Sequence, residues 1–279
     1  MALKLACSDF TFPLLEHNDV LDLIRTLRIN AVDIGLMQDR SHLQPASEFR
    51  NVARSAAAVK KKLGDRGMKA SDVFLLPATD EFSLAINNPM ASRRRKARNW
   101  FECTLEYAAR CGARHVTSAP GVHFKEESRA RSWSNCCDEL AWRVSRAKAS
   151  RISFGVEPHI GSMIGRPESA LRLIGDVPGL TYSLDYSHFT RVGIPDRDVE
   201  PLLQHASHFH VRGSCRGALQ ASFADNTIDF KRIVKVMKKT GYRGYLTLEY
   251  VRTEWENCLR VDNLSETIRF RDYLRSLNR

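Results

Sequence analysis

The chain has 279 residues, of which 43% are hydrophobic, and this predicts one large core and a single domain over residues 1–279. The formal charge of +11 admits nucleic acid or an anionic substrate as a partner. However, basic runs at 60–62, 93–96 and 238–239 lie in segments with helical spacing and are not interleaved with aromatic residues. We interpret these runs as solvated helix faces and expect no nucleic-acid partner.

We expect neither an export signal nor a membrane-spanning segment in this sequence. The apolar N-terminal run is too short for a secretory signal, and no stretch approaches the roughly 18 apolar residues that span a bilayer. Seven cysteines form no C-x-x-C pair, and their odd count argues against a disulfide framework. We therefore expect a soluble cytoplasmic protein with reduced thiols and no membrane partner.

Short apolar or β-branched runs alternate with longer segments of helical spacing along the chain. In chain order, the predicted strands are residues 3–7, 31–34, 70–76, 115–118, 152–157, 180–185, 208–211 and 245–250. Gly67, Gly112 and Gly241 follow helical runs and precede strand material, as C-terminal helix glycines do. Eight strand–helix repeats in about 250 residues predict an α/β fold, a single (β/α)8 TIM barrel. A doubly wound sheet loses support because no Gly-rich dinucleotide motif follows the first strand.

Four consecutive strands in the second half end on a side chain that can bind metal. Because successive side chains of a strand point to opposite faces, Glu249 points away from Leu248 and into the barrel. The same alternation turns Glu157, Asp185 and His210 inward. These positions lie at the C-terminal mouth, where such barrels carry their active sites.

Two Glu, one Asp and one His at one mouth predict an open divalent-metal site with mostly oxygen ligands. The donor set suits Mn²⁺ best, with Mg²⁺ or Co²⁺ as alternatives, and fits structural zinc poorly because no thiolate takes part. We therefore predict one divalent metal ion per chain as the cofactor. Its predicted ligands are Glu157, Asp185, His210 and Glu249.

The motifs around these residues resemble a known family. The matching segments are Gly-Val-Glu157-Pro-His, Leu-Asp185-Tyr-Ser-His188, His-Phe-His210-Val-Arg-Gly and Leu-Thr-Leu-Glu249. They are similar to the xylose-isomerase-like TIM barrels, the sugar isomerase and epimerase superfamily that also contains endonuclease IV. Segments 8–12 and 31–35 resemble the first two strands of that family, so the resemblance covers nearly the whole chain.

Resemblance to the ketose 3-epimerase branch implies a divalent-metal-dependent sugar isomerase or epimerase. In such a reaction the metal polarises a carbonyl and stabilises an enediolate as the neighbouring C–H proton leaves. Glu157 and Glu249 are then assigned both metal-binding and proton-transfer roles. The resemblance also implies a small carbohydrate substrate, and family members are often homo-oligomers, either dimers or tetramers.

Four residues are candidates for substrate binding. His188 and Arg216 match positions, three residues after the Asp and six after the His, that contact substrate in that branch. His188 is also a catalytic candidate, which orients a hydroxyl or acts as the general base of an elimination. Arg212 and His159 share strand parity with two of the metal ligands and are added for that reason.

Two other functions stay open. A metal-dependent lyase or dehydratase would eliminate a group β to a carbonyl of a keto-sugar, keto-glycoside or dehydroshikimate-like substrate. Segments 157–159 and 212–216 depart from well-studied ketose epimerases at the substrate end, which keeps this alternative open. Endonuclease IV-like DNA repair would need a three-metal cluster with further His ligands, and segments 34–36 and 75–77 contain none. We favour the isomerase or epimerase and rank DNA repair last.

Overall fold

A closed barrel of parallel strands occupies the centre of the molecule, and the computed structural model describes residues 3–278. The strands are β1 (Lys4–Ser8), β2 (Ala31–Met37), β3 (Lys69–Leu76), β4 (His115–Ser118), β5 (Ser153–Val156), β6 (Thr181–Asp185), β7 (Ala206–Val211), β8 (Gly213–Cys215), β9 (Ala218–Ala221) and β10 (Tyr245–Leu248). Strands β1 to β7 and β10 close the barrel in the order β1-β10-β7-β6-β5-β4-β3-β2. The predicted (β/α)8 barrel is thus confirmed, while residues 1, 2 and 279 of the predicted domain lie outside the described range.

Helices follow the barrel strands and cover them from outside. They are α1 (His17–Thr26), α2 (Pro45–Glu48), α3 (Val52–Gly64), α4 (Ala91–Cys111), α5 (Arg129–Ala149), α6 (Pro167–Asp176), α7 (Ser187–Arg191), α8 (Asp196–Val199), α9 (Phe230–Thr240) and α10 (Asn263–Ser276). Short 3-10 helices cover Asp9–Thr11, Glu200–His205 and Trp255–Arg260. Within residues 3–278, no helix is long and apolar enough to cross a membrane.

Helix α9 illustrates how the sequence sets these elements. The Asp229 side chain accepts a hydrogen bond from the Arg232 amide at the N-terminus, and Gly241 ends the helix with φ +73°. The buried side chains recur at helical spacing along one face: Phe230, Ile233, Val234 and Met237. This apolar face packs into the layer between helices and strands, which forms the core of the molecule.

Strands β8 and β9 form an antiparallel hairpin above the barrel that the sequence analysis did not predict. Its residues are mostly small or polar and lack an alternating apolar pattern. The buried Gln220 side chain of β9 donates to the carbonyls of Val251 and Cys258, both at 2.9 Å, and accepts from the Val251 amide at 2.8 Å. The hairpin is therefore bonded to the segment that follows β10.

Candidate active site

The C-terminal mouth of the barrel opens into a cavity of about 690 Å³. Five residues predicted from the sequence line it: Glu157, His159, His188, Arg212 and Glu249. Aromatic side chains, among them those of Phe10, Phe74, Phe101 and Trp255, form other parts of the wall. A cavity of this volume is typical of a small-molecule site.

Strand geometry places the two glutamates at the mouth. Glu157 and Glu249 come directly after β5 and β10, and their amides still bond to Ser118 and Val211 of neighbouring strands, at 3.1 and 3.0 Å. The backbone therefore keeps strand direction up to the functional side chain. Both carboxylates are buried and point into the barrel interior, as strand parity predicts.

One imidazole joins the two glutamates. Nδ1 of His210 lies 2.6 Å from Oε1 of Glu157 and 3.5 Å from Oε2 of Glu249. The ligand-capable atoms of these three residues all lie within 4.8 Å of one another. A second set with the same spacing contains Glu157, Asp185 and His188. Glu157 belongs to both sets, so all four predicted metal ligands meet in one buried region.

Arg212 lies inside this acidic region. Its Nη2 donates to Oδ2 of Asp185 at 2.5 Å and lies 3.6 Å from Oε2 of Glu249, while its Nε donates to Oγ of Ser187 at 2.9 Å. Oδ1 of Asp185 accepts from the Ser187 amide at 2.8 Å. Both oxygens of Asp185 therefore have partners within the protein.

Burial and neighbouring charge shift the pKa values of the two glutamates in opposite directions. Burial raises the pKa of Glu249 to about 8. Burial acts in the same sense on Glu157, but the hydrogen bond from His210 and the nearby positive charge, including that of Arg212, together outweigh it and lower the pKa of Glu157 to about 2. Burial also lowers the pKa of His188 to about 4, so this imidazole is neutral near pH 7. Paired carboxyls with separated pKa values are typical of acid–base catalysis.

The raised pKa of Glu249 predicts how the stability of the metal-free protein depends on pH. The native carboxyl keeps a proton up to about pH 8, whereas the unfolded one loses it near 4.5. Native protein binds more protons in this window, so the free energy of unfolding should fall as the pH rises from about 4.5 to about 8. Urea denaturation in chelator should show a shallower decline for Glu249→Gln, and parallel curves for the two proteins would contradict the assignment.

The donor set fits a divalent cation. Three carboxylates and one imidazole converge in a buried region, and carboxylate-rich sets with an imidazole bind such ions. Glu157, His210 and Glu249 already have mutually compatible spacing. Asp185 shares a set of this spacing with Glu157 and His188, and its Oδ2 accepts a hydrogen bond from Arg212.

The other predicted substrate residues have different environments. His159 is buried, lines the cavity, and its ring lies 5.9 Å from that of His188. His188 Nε2 lies 3.8 Å from Oε2 of Glu157, in reach of the same region. Arg216 lies instead in the turn of the β8–β9 hairpin, exposed and outside the cavity lining. The structure therefore brings Arg212, and not Arg216, to the metal-ligand candidates.

A polar network beneath the site was missed by the sequence analysis. Oδ2 of Asp33 lies 2.6 Å from Nε2 of His208 and 3.7 Å from Nε2 of His210. Nδ1 of His115 lies 2.7 Å from Oδ1 of Asp72. Alternation of Asp33 with Val32 and Ile34 on β2 was a usable signal, because it turns this carboxylate inward as it does Glu249. Asp33 thus faces the His210 ring from the side opposite to the glutamates, at a distance too long for a hydrogen bond.

Comparison with protein-family models identifies the family to which the chain belongs. The family model for xylose isomerase-like TIM barrels matches residues 21–275. The chain therefore belongs to the xylose isomerase-like TIM barrel family, as its strand-end motifs predict. A comparison with curated proteins finds no significant match.

Solved structures with the same fold include several sugar epimerases. An L-ribulose 3-epimerase structure is 16% identical with TM-score 0.76, covering 99% of this chain and 94% of that one. A 3-keto-D-glucoside 4-epimerase from E. coli is 16% identical with TM-score 0.74, covering 98% and 99%. A D-psicose 3-epimerase from Clostridium cellulolyticum H10 is 13% identical with TM-score 0.76, covering 99% of both chains. At these identities the similarity concerns the fold.

Proposed function

We propose that this protein is a divalent-metal-dependent sugar isomerase or epimerase acting on a monosaccharide or a sugar derivative. The observation that carries the proposal is the pair Glu157 and Glu249, which lie at the cavity around one imidazole with pKa values shifted apart. In the metal-free protein these shifts favour an ionised Glu157 and a protonated Glu249 near pH 7. Proton removal and return at a carbon next to a carbonyl needs such a pair.

The ligands in this proposal are Glu157, Asp185, His210 and Glu249, with Mn²⁺ as the proposed ion because most donors are oxygens. When bound, the ion supplies a Lewis acid that stabilises negative charge on substrate oxygens. The carboxylate of Glu157 takes a proton from the substrate carbon, and the carboxyl of Glu249 delivers one from a different strand of the barrel. His188 and His159 hold substrate hydroxyls at the cavity wall.

Three of the fold relatives act, by name, on ketoses or a keto-glucoside, which supports a carbohydrate substrate for this chain. We propose that the chain acts as one domain and, like many family members, as a homo-oligomer. The lyase remains the second candidate because His188 is a neutral imidazole beside Glu157, as a general base requires. Both reactions begin with loss of a proton from carbon and differ in what leaves next.

Proton NMR in D₂O distinguishes these two reactions. We expect that Mn²⁺-loaded protein, incubated with a panel of ketoses and keto-glycosides, incorporates deuterium at a carbon centre that the product retains. Loss of a leaving group together with formation of a double bond would assign the lyase instead. The chelator-treated protein is the control and should exchange nothing. Failure to exchange deuterium or eliminate with any substrate of the panel would contradict the proposed function.

A further inference from the structure

Arg212 is the buried cation of the acidic region. Its side chain is 4% exposed, and a guanidinium stays protonated at any pH that a folded protein tolerates. Its Nη2 lies 2.5 Å from Oδ2 of Asp185, 3.6 Å from Oε2 of Glu249 and 3.2 Å from Nε2 of His188. One positive nitrogen is thus placed among three of the residues that surround the proposed metal.

The proposed ligands fall into two groups according to the distances between their ligand atoms. Glu157, His210 and Glu249 have ligand atoms within 4.8 Å of one another, but Asp185 shares such a set only with Glu157 and His188. Nη2 of Arg212 contacts Asp185 on one side and Glu249 on the other. A divalent ion bound to Asp185 would therefore lie next to the positive charge of Arg212, which opposes its binding.

We propose that Arg212 is a built-in cation that competes with the divalent metal for Asp185 and turns toward the cavity when the metal binds all four residues. The inference rests on the metal site of the proposed function. Arg212 lines the cavity, so the displaced guanidinium has space to turn into. There its donors can hold a substrate oxygen or anionic group in a bidentate manner, which makes Arg212 a specificity-determining residue.

Metal affinity tests the competition. Removing the positive charge in Arg212→Met should tighten Mn²⁺ binding, measured by isothermal titration calorimetry, by about tenfold or more. Arg212→Lys keeps the charge without the planar fork, so its affinity should stay nearer to that of the wild type. Arg191→Met is the matched control, because Arg191 forms an equally short 2.5 Å ion pair with Glu256, which is not a proposed ligand. Its Mn²⁺ affinity should be unchanged.

A second readout is thermal stability without metal. In chelator, Arg212→Met should melt below the wild type because Asp185 loses its counter-cation, and Mn²⁺ should raise its melting temperature more than that of the wild type. If Arg212→Met binds Mn²⁺ no more tightly than a wild type that does bind it, the competition is refuted and the metal site stands. If neither protein binds Mn²⁺, both the inference and the proposed function fail.

The wild-type protein provides a test that does not depend on the variant folding. A crystal structure of the Mn²⁺-loaded protein should show Asp185 on the metal and Nη2 of Arg212 beyond hydrogen-bond distance from it. Retention of the Asp185–Arg212 contact in the metal-loaded protein would overturn the proposal. Either result is decisive whether or not Arg212→Met is stable.

Discussion

Glu249→Gln should abolish turnover while the barrel stays folded. Glutamine has nearly the same shape as glutamate but cannot exchange a proton on the substrate carbon and is a weaker metal ligand. Acid–base catalysis alone contributes about 10²- to 10⁴-fold, so we expect kcat to fall by at least about 10³-fold. Steady-state kinetics with the substrate found by NMR measures the loss, and circular dichroism checks the fold.

Glu254→Gln is the matched control for this variant. Glu254 lies five residues further along the chain, is exposed, and is not among the residues that line the cavity. Its activity should stay within twofold, about the change expected of a surface position. Glu249→Gln activity close to that of this control would remove Glu249 from the mechanism.

His210→Gln should remove metal binding. Nδ1 of His210 is the atom on which Glu157 and Glu249 converge, so its loss takes away the one nitrogen donor at the centre of the site. Changes around metal ligands cost about 10- to 100-fold in affinity, and loss of a ligand itself should cost more than about 100-fold. Calorimetry with Mn²⁺ measures this affinity, and metal analysis should find about one ion in each wild-type chain and almost none in the variant.

The control is His205→Gln, at the opposite end of β7 from the site, which should keep full metal content. Unchanged affinity in His210→Gln would show that the ion binds elsewhere. Three tightly bound zinc ions in each wild-type chain would instead favour the endonuclease IV type of site.

The sequence was sufficient to predict which four side chains lie at strand ends and face the barrel interior, because the period of a strand is fixed, and their role as metal ligands stays a prediction. Once β5, β6, β7 and β10 are recognised, alternation predicts that Glu157, Asp185, His210 and Glu249 point into the barrel. Their position along the barrel axis follows from where each strand ends. Glu157 and Glu249 lie one residue beyond strands that end at Val156 and Leu248, and the other two lie within their strands. The eight barrel strands were found for the same reason, with ends that differ by a few residues.

Pairing across the barrel was less accessible to sequence reasoning. Alternation shows that Asp33 and His208 face inward, but it does not show that they bond to each other at 2.6 Å, because this depends on stagger between distant strands. The choice of Arg212 over Arg216 depends on the short hairpin β8–β9, which carries Arg216 out to its turn. The turn signal in this segment is Gly217, which has φ +86° at the turn, and a single glycine does not predict a hairpin.

The bonding of the β8–β9 hairpin to the chain after β10 has a consequence for how such an enzyme changes in evolution. Through Gln220, the hairpin holds Val251 and Cys258, which flank the stretch carrying Trp255 at the rim of the cavity. A substitution at Gln220 removes the bonds that hold this stretch, so its effect is expected at the rim of the cavity. The shape of the entrance can diverge between related proteins while the carboxylates at the strand ends remain the same.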